Sequence, residues 1–145
     1  MGFGDPSGNY WLGNDLLYQL TANYRYKLRF DLQQNVTGNW YYAEYSRFRV
    51  LSEADSYTLM VSGFSGNASH DAFGYHNGEK FSTIERDNDR SSSNCAARYG
   101  AGFWWRDYCG GCHVNGASYL FYWQGLPGGT QLWRLQLSRL WLQCK

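Results

Sequence analysis

The segment Tyr24-Arg25-Tyr26-Lys27-Leu28-Arg29-Phe30-Asp31-Leu32 is the most regular stretch of the chain. Apolar or aromatic side chains alternate with charged ones along its whole length, which is the period-2 pattern of a strand with one buried face. The polar stretch around Gly38 that follows has the composition of a turn. We therefore predict a half-buried strand that ends in a reversal of the chain.

Two further strands are predicted after this turn. Residues 40–50 are rich in aromatic and β-branched side chains, and the alternation slips between Tyr45 and Phe48, which suggests a bulge. Residues 56–61 alternate again, with Tyr57 and Val61 on one side. Three consecutive strands joined by short turns predict an antiparallel meander.

The flanking segments are less regular. Asn14 can cap a short helix over residues 15–20. Gly, Ser, Asn and Asp then dominate residues 62–78 and 87–94, and long irregular loops of this kind in a compact domain are usually functional or disordered. Interspersed aromatic residues such as Phe73 and Trp104 favour an ordered, functional loop region. Residues 131–145 fit a helical stripe and a strand equally well, and periodicity does not decide between them.

The composition argues against several classes of protein. A length of 145 residues predicts one domain, and a net charge of +1 gives no field that would attract nucleic acid or an acidic membrane. No apolar run approaches the roughly 18 residues of a membrane-spanning helix. Met1 leads directly into Gly-Phe-Gly-Asp-Pro, so no signal peptide is recognised here.

The cysteines and two glycosylation sequons nevertheless indicate an extracellular protein. The chain has an even set of four cysteines, at positions 95, 109, 112 and 144. The sequons Asn35-Val36-Thr37 and Asn67-Ala68-Ser69 predict glycosylation at Asn35 and Asn67. We therefore expect a secreted protein whose signal sequence belongs to an upstream part absent from this chain.

The sharpest local motif is Asp87-Asn88-Asp89-Arg90-Ser91-Ser92-Ser93-Asn94-Cys95. Two carboxylates two residues apart in a polar loop can converge on one hard cation, and backbone carbonyls can complete an oxygen shell that suits Ca²⁺. It is not an EF-hand loop, because Gly and Glu are missing from the required positions. A solvated acidic turn would account for the same residues.

Other chemistries find weaker support. Cys109-Gly110-Gly111-Cys112-His113 has the spacing of a c-type haem attachment site, and the same residues could hold zinc, but the motif lies in a Gly-rich loop of a β-rich chain. No nucleophile elbow, P-loop, dinucleotide fingerprint or HExxH motif is present. We predict that the chain is not an enzyme.

Several fragments, taken in order, resemble the fibrinogen C-terminal domain family. The resemblance extends over about Gly2 to Tyr119 and is densest between Phe81 and Cys109. It is carried by Gly8-Asn9-Tyr10-Trp11-Leu12-Gly13-Asn14, Tyr26-Lys27-Leu28-Arg29-Phe30-Asp31-Leu32, Gly63-Phe64-Ser65-Gly66, His76-Asn77-Gly78, Phe81-Ser82-Thr83, Asp87-Asn88-Asp89, Asn94-Cys95-Ala96 and Trp104-Trp105.

The resemblance implies an α+β fold, with a twisted antiparallel sheet, small helices and a loop-rich subdomain. The whole chain, 1–145, would then be one partial domain. We expect a sheet subdomain over 1–72, a calcium- and ligand-binding subdomain over 73–119 and a divergent tail over 120–145. The family's N-terminal subdomain is absent, and residues 126–145 look unrelated to its closing strand.

The resemblance also implies site residues. Calcium would be held by the side chains of Asp87 and Asp89 and by the carbonyls of Ser91 and Ser93. A disulfide would join Cys95 to Cys109, with the Tyr108-Cys109 peptide bond in the cis form. Gly110 stands where the family has a His, and Cys112 becomes a rival partner for Cys95.

Ficolin-like and tachylectin-like members of the family bind acetyl groups on sugars beside that peptide bond. The resemblance therefore implies calcium-dependent recognition of acetylated glycans in the style of innate defence, by a parent protein that we expect to be oligomeric. The alternative is a matrix or signalling module that binds extracellular proteins through the same face. Core packing would account equally well for the three tyrosines among the candidate ligand-binding residues. The candidate ligand-binding residues are Tyr99, Tyr108, Cys109, His113 and Tyr119.

Overall fold

A computed structural model describes residues 2–5, 10–115, 121–128 and 135–145. Its largest element is a four-stranded sheet in which every neighbouring pair is antiparallel, in the order β5-β4-β3-β8. These strands are β3 (Tyr26–Gln34), β4 (Trp40–Val50), β5 (Leu59–Gly66) and β8 (Leu135–Cys144). The predicted α+β architecture and the three-stranded meander are both confirmed.

The smaller elements surround this sheet. The helix α1 (Asn14–Thr21) precedes it. The helix α2 (Cys95–Tyr99) lies in the irregular part of the chain between β5 and β8, which we call the loop-rich half. Two-residue strands form two small ladders, β1 (Phe3–Gly4) with β2 (Tyr10–Trp11) and β6 (Cys112–His113) with β7 (Tyr122–Trp123). Short 3₁₀ turns occur at Glu53–Asp55, Gly74–His76 and Asp107–Cys109. No helix in the described part of the chain has the length and apolar character needed to cross a bilayer.

The alternation along β3 decides which face of the sheet is buried. Leu28, Phe30 and Leu32 point into the core, while Arg29 and Asp31 on the opposite face form an ion pair whose Nε and Oδ1 atoms lie 2.8 Å apart. Because consecutive strand residues point to opposite faces of the sheet, the alternation in the sequence gives β3 one apolar face and one charged face.

The phase slip predicted in β4 is present, but it is not a bulge. Ala43 and Tyr45 are buried, and the next buried residues are Phe48 and Val50. The register with β5 is the same on both sides of the slip, and only the pair Ser46–Gly63 is missing. Gly63 has a φ of 75°, which glycine adopts at little cost. No extra residue is therefore inserted in either strand.

Residues 135–144 of the ambiguous C-terminal segment form a strand. Within the expected divergent tail, β8 pairs with β3 from Tyr26–Cys144 to Gln34–Leu135, with a register shift at Gln33/Gln34. The strand β8 thus belongs to the same sheet as β3, the segment with the most regular pattern in the sequence. Pairing with β3 satisfies backbone groups that β3 would otherwise expose on that side, and this is information that local periodicity does not contain.

An aromatic cluster attaches the loop-rich half to the sheet. The ring of Phe73 lies 4.9 Å from that of Phe30 on β3 and 5.6 Å from that of Tyr45 on β4. On its other side it approaches Phe103 at 6.0 Å and Trp104 at 6.1 Å. Edge-to-face contacts of this kind are worth about 0.5–1.5 kcal/mol each beyond the area they bury.

Helix α1 is fixed to the sheet through Thr21. Its hydroxyl donates to the carbonyl of Leu17 at 2.6 Å and accepts the N–H of Val50 at 2.9 Å. Asn14 is not the cap that the sequence suggested, because Gly13 occupies the N-cap position and no side chain caps the helix. The helix therefore depends on this buried contact near its C-terminal end.

We expect Thr21→Val to lower the free energy of unfolding by about 1–3 kcal/mol, because the isosteric change leaves the buried N–H of Val50 without an acceptor. Urea denaturation would measure the loss. The matched control is Thr58→Val, whose hydroxyl donates to the Asp55 carbonyl in an exposed turn. Equal losses in the two variants would contradict the role assigned to Thr21.

Candidate functional site

The acidic loop, which lies between β5 and β8 in the chain, contains both predicted carboxylate ligands of calcium. Asp89 accepts two backbone N–H groups, from Ser91 at 2.8 Å and from Cys95 at 2.9 Å, one on each carboxylate oxygen. The Oδ1 atom of Asp87 accepts the N–H of Asp89 at 3.2 Å. Ser93 donates its N–H to the hydroxyl of Ser91 at 3.3 Å. All four predicted residues therefore belong to one tightly turned loop.

The two carboxyl groups in this loop influence each other. Partial burial raises the pKa of Asp89, and the neighbouring Asp87 carboxyl adds to the rise, whereas the N–H groups of Cys95 and Ser91 oppose it. A divalent cation would relieve this repulsion, and oxygen ligands alone suit a hard cation such as Ca²⁺. No three His, Cys, Asp or Glu side chains converge among the described residues, so backbone carbonyls would have to complete the shell.

The loop ends at a helix that is tied down covalently. Asn94 caps α2 by accepting the N–H of Ala97 at 2.8 Å. Cys95 then forms a disulfide with Cys109, which confirms the predicted pairing. Because Cys109 is already bonded to Cys95, the haem-attachment interpretation is wrong. Cys112 is buried as a free thiol and does not replace Cys109.

The segment after Cys109 is organised by a buried histidine. His76 contacts the Trp104 carbonyl through Nδ1 at 2.7 Å, and its Nε2 accepts the N–H groups of Gly111 at 3.2 Å and Cys112 at 3.3 Å. These roles assign the proton to Nδ1. In the sequence, His76 stood out only within the fragment His76-Asn77-Gly78 of the family resemblance. In the structure it lies in the 3₁₀ turn Gly74–His76, and its ring satisfies three backbone groups of distant segments.

Burial keeps His76 neutral. Desolvation lowers its pKa from 6.5 to about 4, and the hydrogen bond to the Trp104 carbonyl only partly offsets this effect. Gly110 has a φ of 85°, and a Cβ at that position would collide with the His76 ring. The position therefore needs glycine for backbone and steric reasons alike.

The expected cis bond between Tyr108 and Cys109 is not observed. The described residues contain no cis peptide bond. The chain reverses instead through left-handed conformations at Tyr108 (φ 57°), Cys109 (φ 66°) and Gly110. Left-handed conformations are uncommon for residues other than glycine, and here the disulfide and His76 on either side of the turn hold them in place.

A surface cleft of about 460 Å³ opens beside this turn. Asp71 lies in its wall with Oδ1 fixed by the Tyr45 hydroxyl at 2.7 Å and by the Gly74 N–H at 2.9 Å. Tyr108 is 94% exposed at its rim. Two carboxylates, aromatic rings and an amide can all reach a ligand in this cleft, whose polar and aromatic lining consists of His70, Asp71, Tyr75, Asp107, Tyr108 and Gln124.

The predicted ligand residues are not all brought to this cleft. Tyr108 lines it, and Cys109 lies buried beneath the same turn. Tyr99 instead stacks on Trp105 with ring centroids 5.2 Å apart. His113 is fully buried, with its ring centroid 4.8 Å from that of Trp105. It could therefore influence a surface ligand only through intervening residues. Tyr119 lies outside the described residues.

Several cleft residues were missed by sequence reasoning. Asp71 and Asp107 lie far apart in the sequence and belong to no motif that would pair them. Gln124 was equally unmarked. The two sequon asparagines, Asn35 and Asn67, are both exposed, as glycosylation requires, and their modification stays a prediction.

Comparison with known proteins gives a consistent result. A sequence profile described as "Fibrinogen beta and gamma chains, C-terminal globular domain" matches residues 1–133. The chain is 42% identical over 135 residues to "Fibrinogen-like protein A" of Apostichopus parvimensis and 43% identical over 118 residues to "Angiopoietin-4" of Bos taurus. These alignments cover 88% and 81% of the chain but only 47% and 23% of those relatives.

Solved structures show the same likeness. The fold superposes on the "Fibrinogen-like globe domain of human ANGPTL2" with a TM-score of 0.87 at 32% identity, covering 99% of this chain and 69% of that one. A lamprey fibrin D-dimer "complexed with the PEPTIDE LIGAND: GLY-HIS-ARG-PRO-AMIDE" gives a TM-score of 0.81 at 28% identity, covering 97% of this chain and 53% of that one. The chain thus spans about half or less of the curated relatives named above.

We expect the stability of the protein to fall between pH 7 and pH 5 because of His76. Its folded pKa of about 4 lies below the usual 6.5, so the unfolded chain takes up a proton in this range while the native state does not. At about 1.4 kcal/mol for each unit of pKa difference, the full effect is on the order of 3 kcal/mol, reached near pH 4.

Denaturant unfolding at several pH values would measure this slope. His76→Gln, which keeps a donor and an acceptor but cannot titrate, should flatten it. The exposed His70 provides the matched control, since His70→Gln removes a histidine that makes none of the three hydrogen bonds of His76. An identical slope in wild type and His76→Gln would contradict the assignment.

Proposed function

Because the chain belongs to the family of fibrinogen C-terminal globular domains, we propose that it is an extracellular recognition module that binds its ligand in the cleft beside Tyr108. The observation that carries the proposal is the cleft itself, built on a turn fixed by the Cys95–Cys109 disulfide and by His76. Concave sites with a few convergent polar groups are the usual form of ligand sites. The disulfide and the exposed sequons support an extracellular location.

The first candidate ligand is a protein or peptide that presents a cationic group. Asp71 and Asp107 give the cleft two carboxylates, and no Lys or Arg lines it among the residues that the structure describes. A carboxylate that already accepts neutral hydrogen bonds, as Asp71 does, is oriented before the ligand arrives. The lamprey relative complexed with an arginine-containing peptide agrees with this choice.

An acetylated glycan is the second candidate, favoured by the exposed rings of Tyr75 and Tyr108. The faces of aromatic rings at a cleft rim suit the apolar side of a sugar and the methyl group of an acetyl. Of the residues expected to form its pocket, Tyr99 stacks on Trp105 and His113 is buried, and neither lines this cleft. In this cleft an acetyl group would bind on the Tyr75 side of the turn.

Calcium is proposed as the cofactor of the acidic loop. Asp87 and Asp89 would bind it through their carboxylates, and the carbonyls of Ser91 and Ser93 would complete the oxygen shell. The bound ion would supply positive charge that holds the loop in one conformation. The raised pKa of Asp89 supports this proposal, because it reports a cost that a cation would remove.

We expect millimolar calcium to stabilise the protein. Extracellular calcium modules bind at about 10⁻⁴–10⁻³ M, so 5 mM calcium should add about 1–2 kcal/mol to the free energy of unfolding. Asp87→Asn should abolish the gain measured by calorimetry in calcium against chelator. Asp55→Asn, in an exposed turn outside the loop, should keep it. The calcium assignment fails if the wild-type midpoint is the same in both buffers.

Two amino sugars distinguish the candidate ligands. Glucosamine carries a cationic amine at neutral pH, whereas N-acetylglucosamine carries a neutral acetamide. If the carboxylates dominate, glucosamine should bind several-fold more tightly, and Asp107→Asn should remove the preference while Asp55→Asn leaves it. One charge-assisted hydrogen bond, at about 1.5–3 kcal/mol, is enough for this difference.

Titration calorimetry of both sugars, and of the peptide Gly-His-Arg-Pro-amide as a larger cationic probe, would make the measurement. Tighter binding of N-acetylglucosamine would select the glycan candidate instead. Binding of any probe that survives both Asp107→Asn and Tyr108→Ala unchanged would show that the cleft is not the site.

A further inference from the structure

A buried carboxylate lies between the acidic loop and the cleft. The side chain of Glu79 is only 7% exposed, and its carboxylate accepts from Arg90 through both oxygens, with Nε to Oε2 at 3.2 Å and Nη2 to Oε1. Arg90 stands between Asp89 and Ser91, two of the proposed calcium ligands. The loop is therefore tied by its middle residue to a group outside it.

The same carboxylate reaches toward the cleft through a second arginine. Arg106 Nε lies 3.7 Å from Glu79 Oε1. Its Nη1 donates to the Tyr75 carbonyl at 2.8 Å, and its guanidinium lies 4.4 Å from the centroid of the Tyr75 ring. Tyr75 lines the cleft. One contact after another thus connects Arg90 in the loop with a ring that a ligand would touch.

Glu79 itself is held firmly. Its carbonyl accepts the N–H of Leu59 on β5 at 2.9 Å, and its N–H donates to the His76 carbonyl at 3.2 Å. Removing one partner of a buried ion pair is strongly unfavourable, because the remaining charge is left uncompensated. Arg90 and Arg106 therefore share one anchor, and a change in the position of either alters the charge available to the other.

The adjoining pocket of about 350 Å³ does not form a separate anion site. Its lining includes Lys80, Arg90 and Arg106, but both arginines are paired with Glu79 in its floor. Asp107 adds negative charge near Arg90, since it contributes to the raised pKa of that guanidinium. The two arginines thus face carboxylates of the protein itself, and their cluster is better explained as a connection between segments than as an anion-binding site.

We propose that Glu79 is a positioning residue that couples the calcium loop to the ligand cleft. Calcium held by Asp89 and the Ser91 carbonyl would fix the backbone on both sides of Arg90, and Arg90, acting through Glu79, would set the position of Arg106 against Tyr75. The inference rests on the proposed calcium site and cleft. Coupling of this kind is reciprocal. A cleft ligand must therefore raise the affinity for calcium by the same factor by which calcium raises the affinity for the ligand.

The test follows the Tyr75 signals by NMR while calcium is titrated. In the wild type, signals of residues 87–93 and of the Tyr75 ring should shift together with one dissociation constant. Glu79→Gln keeps the shape of the side chain and removes its charge. In this variant the loop signals should still shift, whereas the shift of the Tyr75 signals should be no more than about a tenth of that in the wild type. Glu53→Gln is the matched control, since it removes an exposed ion pair with Arg86.

Arg90→Gln provides a second variant in case Glu79→Gln fails to fold. It cuts the connection at an exposed side chain and leaves the buried carboxylate paired with Arg106. Its Tyr75 signals should be as insensitive to calcium as those of Glu79→Gln. A Tyr75 response that persists in both variants would overturn the inference, whereas loop signals that do not move in the wild type would instead refute the calcium site, and the coupling with it.

Ligand affinity gives a readout that a merely structural role would not change. Glucosamine, as the cleft probe, should bind the wild type about fivefold more tightly in calcium than in chelator, at the lower end of typical coupling. In Glu79→Gln and Arg90→Gln the difference in affinity between calcium and chelator should fall below about twofold. If calcium and glucosamine both bind, but calcium changes the affinity for glucosamine equally in the wild type and the variants, the coupling is contradicted. The proposed function would then remain intact.

Discussion

The loop-rich half of this protein depends on one neutral imidazole. Backbone groups that lie inside a protein need hydrogen-bond partners, and a region with few helices and strands cannot supply them from a regular ladder. His76 supplies three such partners at once, to Trp104, Gly111 and Cys112. It can do so only while uncharged, because protonation would remove the acceptor at Nε2. The low pKa of His76 is therefore part of how this half is held together.

The two halves are joined by aromatic packing around Phe73. A sheet residue such as Phe30 contacts Phe73 and also Trp123, whose rings lie 4.9 Å and 5.2 Å away. Cores built from large rings bury much area with few residues, so an irregular backbone can be ordered without regular elements. This explains why a region dominated by Gly, Ser, Asn and Asp folds on one side of a sheet and carries the candidate site.

The candidate site combines parts of very different origin. The acidic loop is local, since Asp87 and Asp89 are neighbours in the sequence and their hydrogen bonds close within a few residues. The cleft is assembled from distant segments, with Asp71 before the loop and Asp107 after it. Glu79 lies between them and contacts both arginines. A local ion site and a non-local ligand site can therefore influence each other through one buried charge.

The sequence by itself determined the strand β3, the meander, the presence of α1 and the family. It also determined the pairing of Cys95 with Cys109 and the grouping of Asp87 with Asp89, through the family resemblance and local spacing. These features depend on period, turn chemistry and near neighbours, which a sequence displays directly. The interpretation of Asn14 as a cap was wrong, because a glycine next to it took the position.

Only the tertiary structure decided the rest. It made residues 135–144 a strand because β3 offered them backbone partners, and it buried His113 among aromatic rings although the sequence suggested a ligand role. It turned the chain at Tyr108 and Cys109 through left-handed conformations in place of a cis bond. It also brought Asp71, Tyr75 and Asp107 to one cleft. Such outcomes depend on which distant groups form hydrogen bonds with the backbone or pair with a charged side chain. No local pattern in the sequence contains that information.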